Sequence, residues 1–417
     1  MVKPQARGLQ SELAVALFAT AAARAAVLYL GLGPLWDTAY VSHMVQDLRT
    51  WHDFFVWVRG GLTPYVDFAK EYPVGAGLLY WGLVPFVDPE NLRQTVLVHG
   101  IAMGSVDLVN VTLIYGLLRE RSPGRALVLT LAFSLNLTAL FLGPIRFESV
   151  VVLFTLLGFR AASRGRPLRA AAWWSVGFWV KWAPAFFLAA QEWRLWAVAR
   201  RRRHWVGALA VFVGIGAALN GPFVLGAWRH GALALLAAPW RFHVTRPLYW
   251  DTLLGVGQLW LGPLPWERYG SLWTLGLVLA ALLVRPALSL EYKGALICVA
   301  AIVFNRIYSA QFHLWFYPLL LLGVATETAP RLRRLLTLAA ALDLLNFVVF
   351  PLSFALGLSE MGGFFPYAAR YHGGFWTDVF SAAIVVRTGV LVSLAAFLLR
   401  AHDTRGAALD EEPRPMA

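Results

Sequence analysis

The sequence predicts an all-α polytopic membrane protein, and three observations carry that prediction. The 417 residues are 59% hydrophobic and only 14% charged, with a mean hydropathy of +0.61, whereas soluble domains carry about 25% charged residues. Apolar runs long enough to cross about 30 Å of hydrocarbon recur from end to end. Basic residues gather in short interruptions of those runs: "RERSPGR" (Arg119 to Arg125), "SRGRPLR" (Ser163 to Arg169), "RRRRH" (Arg200 to His204) and "RLRR" (Arg331 to Arg334). This is the positive-inside pattern. It accounts for a net charge of +13 and a pI near 10.2 without nucleic acid as a partner. A β-barrel is disfavoured, because the segments do not alternate and are too long for tilted strands.

Placing the basic loops in the cytoplasm orders the elements. "MVKPQARG" and the apolar run after it read as a first span, Leu9–Gly31, rather than a cleaved signal. A long outer segment then extends to Thr95 and holds Asp37, Asp47, Asp53, Asp67 and Glu71. Within it Val74–Val87 is apolar but short, which predicts an interfacial or re-entrant helix. Spans are predicted at Val96–Leu118, Ala126–Leu142 and Ser149–Ala162. Residues Ala170–Ala199 suit a helical hairpin turning near Lys181 and Pro184. A span at Trp205–Leu225 leads to a second outer segment, Trp228–Asp251. Later spans fall at Ser271–Val284, Ala295–Tyr308, Leu314–Ala325, Leu336–Leu356 and Val379–Leu399. The expected total is about 12 transmembrane helices in one multi-pass domain, residues 1–400, with a disordered cytoplasmic tail at 401–417. The single cysteine, Cys298, rules out an internal disulfide or a cysteine-based metal site.

The polar residues gather in a few places predicted to lie outside. The first long loop carries "VQDLRTWHDFF" and "PYVDFAKEYP". "GPIRFES" presents Arg146 and Glu148, which are also candidates for a structural ion pair with one another. "PWRFHVTRPLYWD" brings Arg241, His243, Arg246 and Asp251, and "NRIYSAQFHLWFYP" brings Arg306, Ser309, Gln311 and His313. Lys181 sits at the tip of its hairpin. Ionisable groups at membrane depth cost several kcal/mol, so they have partners or a task. Asp107, Asp343 and Arg387 read as contacts between helices. Carboxylates facing cations suit a base that accepts a proton from a hydroxyl while Arg, Lys or His holds a departing phosphate. Trp and Tyr around them stack on a sugar ring or sit at headgroup level.

These motifs resemble bacterial polyprenyl-phosphate-sugar-dependent glycosyltransferases of the GT-C fold, in the α-mannosyltransferase branch. "DLRTW" (Asp47 to Trp51), "GLTPYVDF" (Gly61 to Phe68, including Tyr65) and "EYPVG" (Glu71 to Gly75) follow the family's first-loop order. Trp51 replaces the usual Tyr, and Val74 replaces a second Pro. "RFES", "FWVKWAP", "FHVTRPLYWDTLLG" and "YSAQFHLWFYPLL" are similar to later family elements. The resemblance implies an inverting transferase in the bacterial plasma membrane, acting at the extracytoplasmic face. Its donor is a sugar, mannose in this branch, on a polyprenyl phosphate, and its acceptor a glycolipid or glycan beside membrane lipid. It implies a first-loop Asp as base: Asp47 by motif position, with Asp67 and Glu71 as alternatives and Asp53 between them. Lys181, His243 and Arg246 are implied around the phosphate, with Arg146, Glu148, Tyr65, His313 and Gln311 in the site. No cofactor or metal is implied. Two other readings stand beside it: a lipid or solute transporter or flippase, which the lack of internal repeats disfavours, and a non-catalytic envelope assembly protein.

Overall fold

The computed structural model describes residues 4–38, 41, 45–201, 203–245, 248–249, 251–262, 266–352 and 375–401. Among the described residues the chain is all-helical. Those residues form no β-strand, only an isolated bridge between Pro64 and Phe68. The first part comprises α1 (Pro4–Leu32), α2 (Gln46–Arg59), α3 (Val74–Trp81), α4 (Leu92–Arg121), α5 (Ala126–Ser134), α6 (Leu137–Leu142), α7 (Glu148–Ser163), α8 (Pro167–Val180) and α9 (Pro184–Ala197). The second comprises α10 (His204–Arg229), α11 (Ala238–Thr245), α12 (Leu253–Leu261), α13 (Trp266–Leu283), α14 (Leu290–Val303), α15 (His313–Val324), α16 (Ala329–Phe347) and α17 (Phe375–Leu399).

Among the described residues, four helices are long and apolar enough to cross a membrane: Gln10–Leu32, Leu92–Arg121, His204–Arg229 and Asp378–Leu399. A fifth follows if Pro123–Ser134 and Leu137–Ile145, bent by 49°, count as one broken span. The expectation of one continuous helix over Ala126–Leu142 therefore fails at Asn136. Here Asn136 caps α6 by accepting from Ala139 N at 2.8 Å, and Asp343 of α16 accepts from Leu137 N at 2.6 Å and Thr138 N at 2.9 Å. Orphan amide donors at a helix start need such acceptors when buried. Asp343 is thus a helix-to-helix contact, as is Asp107 of α4, which pairs with Arg24 of α1 at 2.9 Å.

Other starts are set by local chemistry. Asn91, Thr252 and Ser289 cap α4, α12 and α14, and α8 and α9 begin on Pro167 and Pro184, where a missing N–H costs nothing. The predicted hairpin is present, with Lys181 at its turn in an extended conformation, φ −161° and ψ 144°. The predicted short helix at Val74–Val87 is α3 followed by a 3₁₀ turn at Val84–Phe86. The proposed tail lies outside the described residues except for its first residue.

The first loop is nailed to the helices by aromatic packing. Trp51 of α2, 1% exposed, stacks on Tyr80 of α3 with ring centroids 3.6 Å apart and on Tyr72 at 5.4 Å. Buried Lys70 lies 4.5 Å from the centre of the Trp51 ring and donates to Thr50 O at 2.9 Å. Desolvation by burial pulls its pKa down, partly opposed by neighbouring Glu71.

Gly75 marks the close approach of this loop to α8, where a Cβ would lie 2.5 Å from Trp179 O. Backbone cannot yield as a flexible side chain can, so Gly75→Ala is expected to destabilise by about 1–3 kcal/mol. The check is the thermal midpoint of the purified protein against Gly104→Ala, where a new Cβ meets open space.

Candidate functional site

One cavity of about 630 Å³ gathers residues from α2, the first loop, the turn before α7, the α8–α9 turn, the region around α11 and the segment leading to α15. Asp47, Glu71, Arg146, Lys181 and Gln311 of the sequence-derived candidates line it, and so does Asp251. These residues are separated by up to 264 positions in the chain, counting from Asp47 to Gln311. That is a size suited to a small ligand or headgroup.

Asp47 stands in the first turn of α2 and forms an ion pair with Arg146. The Asp47 side chain is 42% exposed, whereas Arg146 is 7% exposed, so the carboxylate faces the open side and the guanidinium backs it. Glu148, in the first turn of α7, is wholly buried and pairs with Lys181. A carboxylate there also faces the positive end of its own helix. Its second oxygen, Oε2, is buried with no hydrogen-bond partner. The candidate Arg146–Glu148 pair is therefore replaced by two others. Arg146 is extended, φ −127° and ψ 155°, just before the helix starts, so it and Glu148 leave the backbone toward different partners. Lys181 also lies 4.8 Å from the Phe147 ring centre and 5.7 Å from that of Trp315, within the range of cation–π attraction.

The junction that aims Arg146 is itself held from below. His99 of α4, fully buried, meets Pro144 O with Nδ1 at 3.1 Å and Tyr80 Oη with Nε2 at 2.9 Å. A carbonyl can only accept, so Nδ1 carries the proton and Nε2 accepts from the tyrosine hydroxyl. The same tyrosine stacks on Trp51, which ties the Asp47 helix to the Arg146 turn.

Other predicted residues sit elsewhere. Asp67 does not line the cavity; it is exposed and accepts from Thr63 N at 2.7 Å, closing the turn of its own loop. Tyr65 is also away from it, at φ +61°, a strained value for a side chain of this size. Its hydroxyl donates to the carbonyls of Tyr72 and Pro73 at 2.8 and 3.0 Å, and burial raises its pKa well above the ordinary phenol value. Tyr65 is a strut for the Glu71–Tyr72–Pro73 backbone. His313 is fully buried at the start of α15, near Asn346 at 3.4 Å, and lies behind the wall. His243 lies on α11, with its side chain outside the described residues, as is the whole of Arg246.

The sequence reading did not single out the aromatic wall. Tyr72, Trp182, Tyr249, Phe312 and Trp315 line the cavity. The signal was their adjacency to charged candidates, as in "EYP" and "VKW", against a background of similar residues that anchor at headgroups. Tyr308 lines it as well, donating to Asn346 Oδ1 at 2.8 Å while the buried Arg387 guanidinium lies 3.6 Å from its ring centre. Arg387 also donates to the Asp251 carbonyl, so this residue of the last helix braces the cavity wall at Asp251. No group of three or more His, Cys, Asp or Glu converges as a metal set among the described residues. Comparison with models of known protein families and with characterised proteins finds no match to this chain.

Proposed function

We propose that the chain is an inverting membrane glycosyltransferase of the GT-C type, built on about 12 membrane helices with its cavity on the extracytoplasmic side. In this reading the shorter apolar helices complete the membrane-embedded set begun by the four long ones. The sugar is mannose, carried on a polyprenyl phosphate, and the acceptor is an extracytoplasmic lipid or glycan. The observation that supports the reading best is the cavity itself: an accessible first-loop carboxylate, a lysine at a hairpin tip and an aromatic wall face one space.

The chemistry follows from their types. An acceptor hydroxyl oxygen bonds to the anomeric carbon as the carbon–oxygen bond to phosphate breaks on the opposite face. The electron pair leaves with the polyprenyl phosphate, and the hydroxyl proton passes to Asp47. Arg146 holds Asp47 in place, and Lys181 offers its ammonium to the phosphate, where charge builds on departure. The flat faces of Tyr72 and Trp315 suit a sugar ring.

The test is transfer by purified protein in lipid, using radiolabelled polyprenyl-phosphomannose, a panel of other lipid-linked sugars and membrane glycolipid acceptors. Labelled glycolipid is the expected product. Absence of transfer from every donor sinks the proposal, and movement of the donor across vesicles without a covalent product marks a transporter instead.

A further inference from the structure

A second cavity, of about 360 Å³, lies between the start of α16 and the end of α17, and Arg331, Arg334 and Arg400 line it with Pro330, Ser393 and Phe397. Two antiparallel helices thus bring three guanidiniums to one concave place, and no carboxylate lines it among the described residues. Arg331 is fixed at the base. Its Nε is 3.0 Å from Glu327 Oε2, its Nη1 donates to Arg400 O at 3.4 Å, and its guanidinium lies 5.0 Å from the Phe397 ring centre. Its Nη2 is buried with no hydrogen-bond partner. Arg334 and Arg400 are exposed. The first turn of α16 adds amide donors that its N-cap, Thr328, does not satisfy with a side chain.

A basic loop that only sets membrane orientation needs neither a cavity nor a converging, incompletely satisfied arginine. The surface leading out of this cavity is apolar or small. Val385, Gly389 and Ser393 follow one another at helical spacing up to Arg400, and all three are exposed. A ligand with a phosphate and a long apolar part fits both features, since basic clefts between membrane helices hold anionic lipid headgroups.

We infer that this cleft binds the phosphate of an anionic phospholipid, with acyl chains lying along the exposed stripe of α17. The site is independent of the sugar-transfer cavity. It is tested by native mass spectrometry of the full chain in detergent, titrated with phosphatidylglycerol, phosphatidylcholine or inorganic phosphate. Wild type is expected to retain phosphatidylglycerol over phosphatidylcholine, and Arg334→Gln combined with Arg400→Gln to bind it about thirtyfold more weakly. Arg333→Gln removes an equal charge from an exposed arginine that does not line the cleft and is expected to leave retention unchanged. The inference is overturned by equal retention of both lipids, by an Arg333→Gln loss as large per charge as that of the cleft variants, or by inorganic phosphate displacing the lipid at equal concentration.

Discussion

Replacing Asp47 with asparagine is expected to slow sugar transfer by about 10²–10⁴-fold, the ordinary value of a positioned general base. Asparagine keeps the shape of the side chain and can still accept from Arg146, but it cannot take up a proton at neutral pH. The loss should appear in kcat with little change in KM, because a base acts in the transition state and does not hold the donor. Single-turnover transfer from radiolabelled polyprenyl-phosphomannose measures it. Asp67→Asn is the informative companion: it preserves an acceptor for Thr63 N, touches no cavity wall, and should leave kcat intact. Glu71→Gln separates the two first-loop carboxylates that line the cavity. If Glu71→Gln abolishes transfer while Asp47→Asn remains active, Glu71 is the base and the role of Asp47 reduces to pairing with Arg146.

What the sequence made legible follows from how local each signal is. The Lys181 hairpin was readable because two proline-started helices and two basic loops set its limits within 30 residues. Asp47, Glu71, Arg146, Lys181 and Gln311 were found as a set because rare polar groups in an apolar chain stand out. Partner choice was not readable. Arg146 and Glu148 are two residues apart, and only the extended-to-helical junction decides that one meets Asp47 and the other Lys181. Helix lengths were obscured for a similar reason. Hydropathy sees Ala126–Leu142 as continuous, while the break depends on the Asp343 carboxylate arriving from 206 residues away. Asp67 and Tyr65 share a motif with Glu71 but do not line the cavity, and their hydrogen bonds shape that motif's backbone.

Lys181→Met is expected to be the most destabilising change at the site, at about 3–5 kcal/mol, because it strands a buried carboxylate. Glu148 is 0% exposed and Lys181 15% exposed, so water cannot readily replace the lost ammonium. Glu148 Oε2 already lacks a hydrogen-bond partner, which leaves little local capacity to absorb the charge. The reverse change, Glu148→Gln, should cost less, since the freed ammonium lies at the cavity wall and can turn toward water. Removing both charges with Lys181→Met and Glu148→Leu should recover much of the loss, as apolar replacements of buried pairs commonly do. Thermal midpoints of the purified proteins, read as a double-mutant cycle, give the coupling directly. A Lys181→Met midpoint equal to that of wild type would mean that Glu148 is hydrated or held otherwise, and the pair is then not structural. Activity supplies the second readout. If Lys181 also receives the phosphate, the double variant regains stability but not transfer, whereas a purely structural lysine predicts that both return together.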